Sequence, residues 1–277
     1  MNSVFQVTKI RNLLIWIIST IIVSIFVSSF PLIKEIPSEG KTRIMIVFIM
    51  YIVPVYWFTI KLNQCNSSLK FFLKKPKESV KVRTIFASVI MPMFTGLGLL
   101  LFVTAILFVV FPQSPSESDV LPVNQETVLW IFIFKIITLV LIAPICEEII
   151  FRGFLLGRLS YKFGVKKGII FSSILFGTLH LDNIFGTTII GIIMCIWFIK
   201  TKSLVTPILI HIVFNSVVAL RDIYFWFNLN TDIQATSTPP ILTILIGATI
   251  LIVLGLIWII PFLKKNWVSS LEKGLPL

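Results

Sequence analysis

The chain has 277 residues, of which 57% are hydrophobic and only 13% are charged. An average soluble domain has ~25% charged residues, so this chain has too little polar surface for a water-soluble particle. The high hydrophobicity also excludes a disordered chain, and three cysteines cannot form the fully paired framework of a disulfide-rich secreted domain.

Eight apolar stretches approach the ~17–25 residues that cross a bilayer as a helix. In chain order they cover residues 13–33, 44–60, 85–111, 128–151, 168–181, 184–199, 204–220 and 241–263. The fifth and sixth are short and adjacent in sequence, so they can tilt or form a tight hairpin. This pattern predicts an all-α, polytopic membrane bundle of about eight transmembrane helices, with residues 1–277 forming a single integral membrane domain.

The basic residues predict the orientation of the chain, because Lys and Arg favour cytosolic segments. If both termini are cytosolic, only four of the 24 basic residues fall in outer segments, namely Lys34, Lys41, Arg43 and Arg221. The net charge of +12 then reflects topology, and we expect no nucleic-acid partner. The basic segment 61–83 is expected to face anionic lipid headgroups, with docking of a partner as the alternative.

Ionisable residues inside the spans are candidates for function, because each costs at least ~2.5–3.5 kcal/mol in hydrocarbon. The predicted spans contain five of them, with a sixth, Arg152, at the end of the fourth span. The five are Lys135, Glu147, Glu148, His180 and His211, and the two histidines are the only ones in the chain. Lys135 lies off the face of the glutamates, so we expect it to reach toward the outer surface.

Glu148 and Arg152 are four residues apart with the carboxylate first, which is the favoured arrangement of a helical ion pair. Glu147 is turned ~100° away on the same helix, so Arg152 cannot easily neutralise both glutamates. This geometry predicts that Glu147 is the carboxylate free for proton transfer. Pro144 removes a helical hydrogen bond just upstream and can kink the helix there.

Two further pairs at helical spacing place polar groups on one face. His211 and Asn215 share a face of the seventh span, and the Phe176 ring is placed to pack below His180 in the fifth span. At ~1.5 Å per residue, Glu147, His180 and His211 lie ~12–18 Å from the cytosolic ends of their spans. This similar depth predicts one shared, buried site.

Taken in order, Glu147-Glu148-x-x-x-Arg152, Phe176-x-x-x-His180 and His211-x-x-x-Asn215 resemble the motifs of the CAAX protease and bacteriocin-processing (CPBP, or Abi) family of intramembrane proteases. The resemblance covers residues 143–220, which we take as the catalytic core. It implies an eight-helix membrane fold. It also implies hydrolysis of a peptide bond in a membrane-associated protein or peptide.

The resemblance further implies a role for individual residues. Glu147 would activate a water for attack on the peptide carbonyl, and His180 would help to hold that water. His211 and Asn215 would stabilise the oxyanion. The implied catalytic set is Glu147, Glu148, His180, His211 and Asn215, with Arg152 and Phe176 in support.

A metal cofactor is the less favoured of two possibilities. The sequence contains neither an H-E-x-x-H zinc motif nor a G-x-S-x-G serine motif. Asn215 is an unusual zinc ligand, and two histidines with a carboxylate can act without a metal, so we predict a metal-free, glutamate-based mechanism. Zinc is the alternative, with Glu147, His180 and His211 as ligands, because two histidines and a glutamate bind zinc in several hydrolases.

Other functions are also compatible with these residues. Carboxylate and histidine chains build proton relays, so a proton-linked transporter is one alternative, although no internal repeat is visible. A non-catalytic bacteriocin-immunity or scaffold protein of the same fold is another. In each case we expect a multi-pass protein of the bacterial plasma membrane, with membrane lipid as a partner and a protein or peptide as the peptidase substrate.

Reporter fusions test the predicted orientation. Alkaline phosphatase needs disulfides that form outside the bacterial cytosol, so we expect a fusion after Ser118 to be active and a fusion at the C-terminus to be inactive. Fluorescent-protein fusions that fold only in the cytosol should give the opposite result. An active phosphatase at the C-terminus would contradict the predicted orientation.

Overall fold

The computed structural model describes residues 2–28, 36–111, 128–228 and 240–272, which are mostly helical, joined by turns and irregular segments, and contain no strand. This confirms the predicted all-α class, while Ser118, the site of the proposed reporter fusion, lies outside the described residues. The helices in these ranges are α1 (Asn2–Val7), α2 (Ile10–Ser28), α3 (Ser38–Gln64), α4 (Val82–Val110), α5 (Leu129–Phe163), α6 (Val165–Thr178), α7 (Ile184–Thr201), α8 (Val205–Asn228) and α9 (Ile241–Glu272).

Seven of the described helices are long and apolar enough to cross a membrane, namely α2 to α5 and α7 to α9. The remaining predicted span is α6, which has 14 residues. At ~1.5 Å per residue this helix is ~21 Å long, shorter than the ~30 Å hydrocarbon layer. Gly164, with φ +84°, forms the turn after α5, and α6 packs against both α5 and α7. The orientation of the termini and the single-domain organisation stay predictions.

Wide helical turns lie near the centre of two helices. Helix α3 is π-helical over Val47–Ile52, and α5 is π-helical over Thr138–Ile142 and Ile149–Leu155. Pro54 and Pro144 each follow one of these segments by two residues. A proline lacks the N–H of a regular turn and crowds the preceding carbonyl, so the helix widens upstream. The local disturbance expected at Pro144 is therefore a π-helical turn.

Helix α7 lies at the centre of the bundle. Two thirds of it (67%) is buried, against 22% or less for the other candidate spans. It approaches α4 closely because glycines face each other: a Cβ at Gly96 would lie 2.6 Å from Gly186 Cα. Farther along, Trp197 Nε1 donates to Ser88 Oγ at 3.0 Å. These two contacts show that α4 and α7 form an antiparallel pair.

Contacts at both ends hold α5, the helix that carries the glutamates. Near its beginning, Lys135 pairs with Asp222 of α8 at 3.2 Å. The expected reach of Lys135 toward the outer surface stays a prediction, and its partner Asp222 lies near the end of α8. Near the other end, Arg158 donates to the backbone carbonyl of Phe5, whose ring fills the space above Gly157.

The close α4–α7 contact predicts that Gly96→Leu destabilises the protein by about 1–3 kcal/mol, because the added side chain must push packed backbone apart. Gly247→Leu is the matched control, since nothing lies within 4 Å of a Cβ at that position. Thermal unfolding of the detergent-purified variants measures the difference. Equal midpoints for the two variants would contradict the described packing.

Candidate active site

The site forms where α5, α8 and the end of α6 meet. Glu147 and Glu148 lie on α5, and His211 and Asn215 lie on α8. His180 comes two residues after the end of α6, and not inside a helix as expected. Helix α6 ends at Thr178. The His180 imidazole therefore lies at a helix end, where backbone carbonyls without a helical partner need hydrogen-bond donors.

The predicted ion pair is present and completely buried. Arg152 Nη1 lies 2.7 Å from Glu148 Oε1, and both side chains have 0% exposure. The same oxygen lies 2.9 Å from His211 Nδ1. Arg152 Nη2 also donates to the carbonyl of Gly191 at 3.3 Å. The ion pair therefore ties together α5, α7 and α8.

Glu147 faces the two histidines. Its Oε2 atom lies 3.9 Å from His180 Nε2 and 3.8 Å from His211 Nε2. These distances exceed a direct hydrogen bond, but they suit one water in contact with all three atoms. Among the described residues, Glu147 Oε2 is buried without a hydrogen-bond partner. Because the guanidinium of Arg152 is bound to Glu148, Glu147 faces the two histidines and not the arginine.

The hydrogen bonds of the histidines define which ring nitrogens carry protons. His180 Nδ1 lies 2.8 Å from the Phe176 carbonyl oxygen, which can only accept, so Nδ1 is the donor. His211 Nδ1 likewise faces the Glu148 carboxylate. In a neutral ring the other nitrogen, Nε2, is then an acceptor. The Nε2 atoms of both rings face Glu147.

Phe176 packs against several members of the site. Its ring centroid lies 4.7 Å from that of His180, as the i, i+4 spacing predicts, and 5.7 Å from that of His211. The guanidinium carbon of Arg152 lies 4.5 Å from the same ring, within the range of a cation–π contact. With 1% exposure, Phe176 fixes the separation of the two imidazoles.

Asn215 is anchored to α5. Its Nδ2 donates to the backbone carbonyl of Leu139 at 2.7 Å. Leu139 lies in the π-helical segment Thr138–Ile142, where the irregular backbone pattern leaves a carbonyl for a side-chain donor. The amide group has a second proton, which can serve a ligand. The catalytic roles assigned to Asn215 and to the other site residues stay predictions.

The sequence reasoning missed Tyr51 of α3, whose phenol interacts electrostatically with the Glu147 carboxylate. It was missed because only charged residues and histidines were counted inside the spans. A tyrosine in an apolar run is usually a packing residue whose hydroxyl finds some partner. The position of Tyr51 three residues before Pro54 was the available signal, since proline-widened turns often occur at functional sites.

The three alternative zinc ligands do not fit a metal as they are placed. Zinc bonds of ~2.0–2.1 Å in a tetrahedral site put ligand atoms roughly 3.3 Å apart. The Glu147 oxygen is farther than this from both histidine nitrogens, at 3.8 and 3.9 Å. Within the described ranges, no three His, Cys, Asp or Glu side chains are grouped to hold a metal ion. The cofactor requirement itself stays a prediction.

Comparisons with known proteins point to the same segment. Residues 127–217 match the family described as type II CAAX prenyl endopeptidase Rce1-like. A relative from Bacillus subtilis (strain 168), named "Putative membrane peptidase YdiL", is 29% identical over 113 residues, which cover 40% of this chain and 44% of the relative. No solved structure matches the chain.

These matches confirm the resemblance that the three motifs carry. The chain is a multi-pass membrane protein with a segment similar to CAAX-type membrane peptidases. The matched segment contains all the predicted site residues, from Glu147 to Asn215. The match to the curated relative spans less than half the length of either protein.

The buried ion pair predicts that Arg152→Leu destabilises the protein by about 3–5 kcal/mol, because Glu148 is left as a poorly compensated buried charge. Arg221→Leu is the control: Arg221 also pairs with an acid, Asp222 at 3.0 Å, but its side chain is 66% exposed. We expect a change below about 1 kcal/mol for the control. Unfolding in detergent measures both, and equal losses would contradict the buried pair.

Proposed function

Because the family match coincides with this buried cluster, we propose that the chain is an intramembrane endopeptidase. It hydrolyses a peptide bond in a membrane-associated protein or peptide, with Glu147 as general base. The observation that carries the proposal is the position of Glu147 Oε2, which lies within 4 Å of two imidazole nitrogens on other elements. The site of action is the plasma membrane.

A water between Glu147 Oε2 and His180 Nε2 is held by two acceptors. It directs both hydrogens to these acceptors, so a lone pair of its oxygen points toward a bound carbonyl. Glu147 takes one proton as the new C–O bond forms. The carboxyl group then returns that proton to the leaving amine nitrogen as the C–N bond breaks. No covalent intermediate is required.

His211 stabilises the oxyanion as an imidazolium. Its Nδ1 already donates to Glu148, so a second donor at Nε2 exists only when the ring carries both protons. The charges favour this state: Glu147, Glu148 and Arg152 together leave one negative charge, which the imidazolium balances. The second amide proton of Asn215 on the same helix face is the other donor for the oxyanion.

The peptidase explains the observations better than the other functions do. The matched family and the curated relative are both described as peptidases, and neither description mentions transport or immunity. A proton relay also requires a chain of exchangeable groups through the membrane. The site instead gathers its polar groups around one carboxylate, which suits local chemistry on a bound amide.

Glu147→Gln tests the proposal directly. Purified protein in lipid vesicles is incubated with internally quenched peptides, one farnesylated at a C-terminal CAAX sequence, one identical but without the lipid, and one with an apolar membrane-spanning segment. We expect the wild-type protein to cleave at least one peptide. We expect Glu147→Gln to reduce cleavage by at least about 1000-fold, because removing the base leaves water without activation.

Two results would contradict this function. One is cleavage of equal rate by the wild-type protein and by Glu147→Gln, which would remove the proposed base. The other is the absence of cleavage for every peptide together with a proton-driven flux across the same vesicles, which would favour the transporter. Equal thermal midpoints of the two proteins serve as the control that the variant is folded.

A further inference from the structure

Tyr51 links the site to a helix outside the family match at residues 127–217. It lies on α3 in the π-helical segment Val47–Ile52. Its phenol interacts electrostatically with the Glu147 carboxylate, and the segment Val47–Ile52 packs directly against the segment Ala143–Glu148. The first part of the chain therefore contributes a polar group to the wall of the site.

The register between α3 and α5 keeps Tyr51 level with Glu147. The rings of Trp57 and Phe58 pack against Phe154 with centroid distances of 5.0 and 5.4 Å. Phe58 and Phe154 each lie seven residues after Tyr51 and Glu147, respectively. Sliding either helix by one turn would separate this buried aromatic cluster, so the packing fixes the Tyr51–Glu147 contact.

A second contact between α3 and α5 lies near the other ends of the two helices. Gly40 of α3 leaves room for Trp130 of α5, and a Cβ at Gly40 would lie 2.7 Å from the indole ring. The N-terminal part of α3 contacts the N-terminal part of α5, and the later parts of the two helices also contact each other. Helices α3 and α5 therefore run parallel. Tyr51 lies between these two packed contacts of the helix pair.

We propose that Tyr51 is a positioning residue that acts through Glu147, an inference that rests on the proposed peptidase function. The phenol O–H donates to the carboxylate and holds its Oε2 atom toward His180 and His211. The terminal torsion of a glutamate is soft, and Arg152 is bound to Glu148. Without the phenol, the carboxylate rotates away from the water that it must activate, and a misplaced base loses rate.

Tyr51→Phe tests this role, since it removes only the hydroxyl and keeps the ring. With the best-cleaved peptide, we expect kcat to fall by about 10- to 100-fold, KM to stay within about twofold and the thermal midpoint to stay unchanged. Tyr56→Phe is the matched control on the same helix. Tyr56 is 60% exposed and packs near Trp16, so its hydroxyl should not affect kcat.

An infrared measurement tests the contact without any substrate. The carboxylate band of Glu147 is identified from the difference between wild-type protein and Glu147→Gln. We expect this band to shift in Tyr51→Phe, because a hydrogen bond to the carboxylate is lost, and to stay in place in Tyr56→Phe. A band at the same frequency in wild-type protein and Tyr51→Phe would overturn the proposal.

The kinetic outcomes separate this inference from the proposed function. Cleavage by the wild-type protein with an unchanged kcat in Tyr51→Phe would overturn the role of Tyr51 alone. A higher KM or a lower thermal midpoint with unchanged kcat would do the same, because it would assign Tyr51 to substrate contact or to packing. Failure of the wild-type protein to cleave any peptide, together with a proton-driven flux across the same vesicles, would remove both proposals.

Discussion

The Glu148 side chain is completely buried, so its negative charge must be compensated inside the protein. Much of the geometry of the site follows from this requirement. Its Oε1 atom is paired with Arg152 and His211, and Arg152 in turn bonds to the backbone of α7. A buried charge must be matched by such partners. The partners come from different helices, so satisfying Glu148 also fixes where α5, α7 and α8 cross and leaves Glu147 beside two imidazoles.

The parts of the site that are local in sequence could be predicted from the sequence. The Glu148–Arg152 pair and the stacking of Phe176 on His180 are both i, i+4 relations, and each depends only on helical geometry. The convergence of His180 and His211 on Glu147 followed from a different argument, that isolated polar groups in hydrocarbon must find one another. Both arguments work because a membrane leaves polar side chains few alternatives.

The parts that depend on the contacts between helices could not be predicted. Tyr51 and Glu147 are nearly a hundred positions apart, and nothing in either segment specifies their register until Phe58 meets Phe154. The pairing of Lys135 with Asp222 is nonlocal in the same way. The end of α6 was placed three residues too late, at Leu181, because apolar residues continue past Thr178, where the chain already leaves the helix. The hydrophobicity of a segment indicates that it can lie in lipid, but it does not indicate where the helix ends.

The shortness of α6 has a consequence for biosynthesis. A segment of 14 residues gains too little from lipid contact to stay in the bilayer alone when it leaves the ribosome and the translocation channel. Helix α7, whose start is capped by the Asn183 side chain, follows almost at once and packs along α6. The two helices must therefore partition into lipid together, as one hairpin. His180 sits in its bend, so an error in inserting this pair would misplace the imidazole even in a protein whose other helices are correctly threaded.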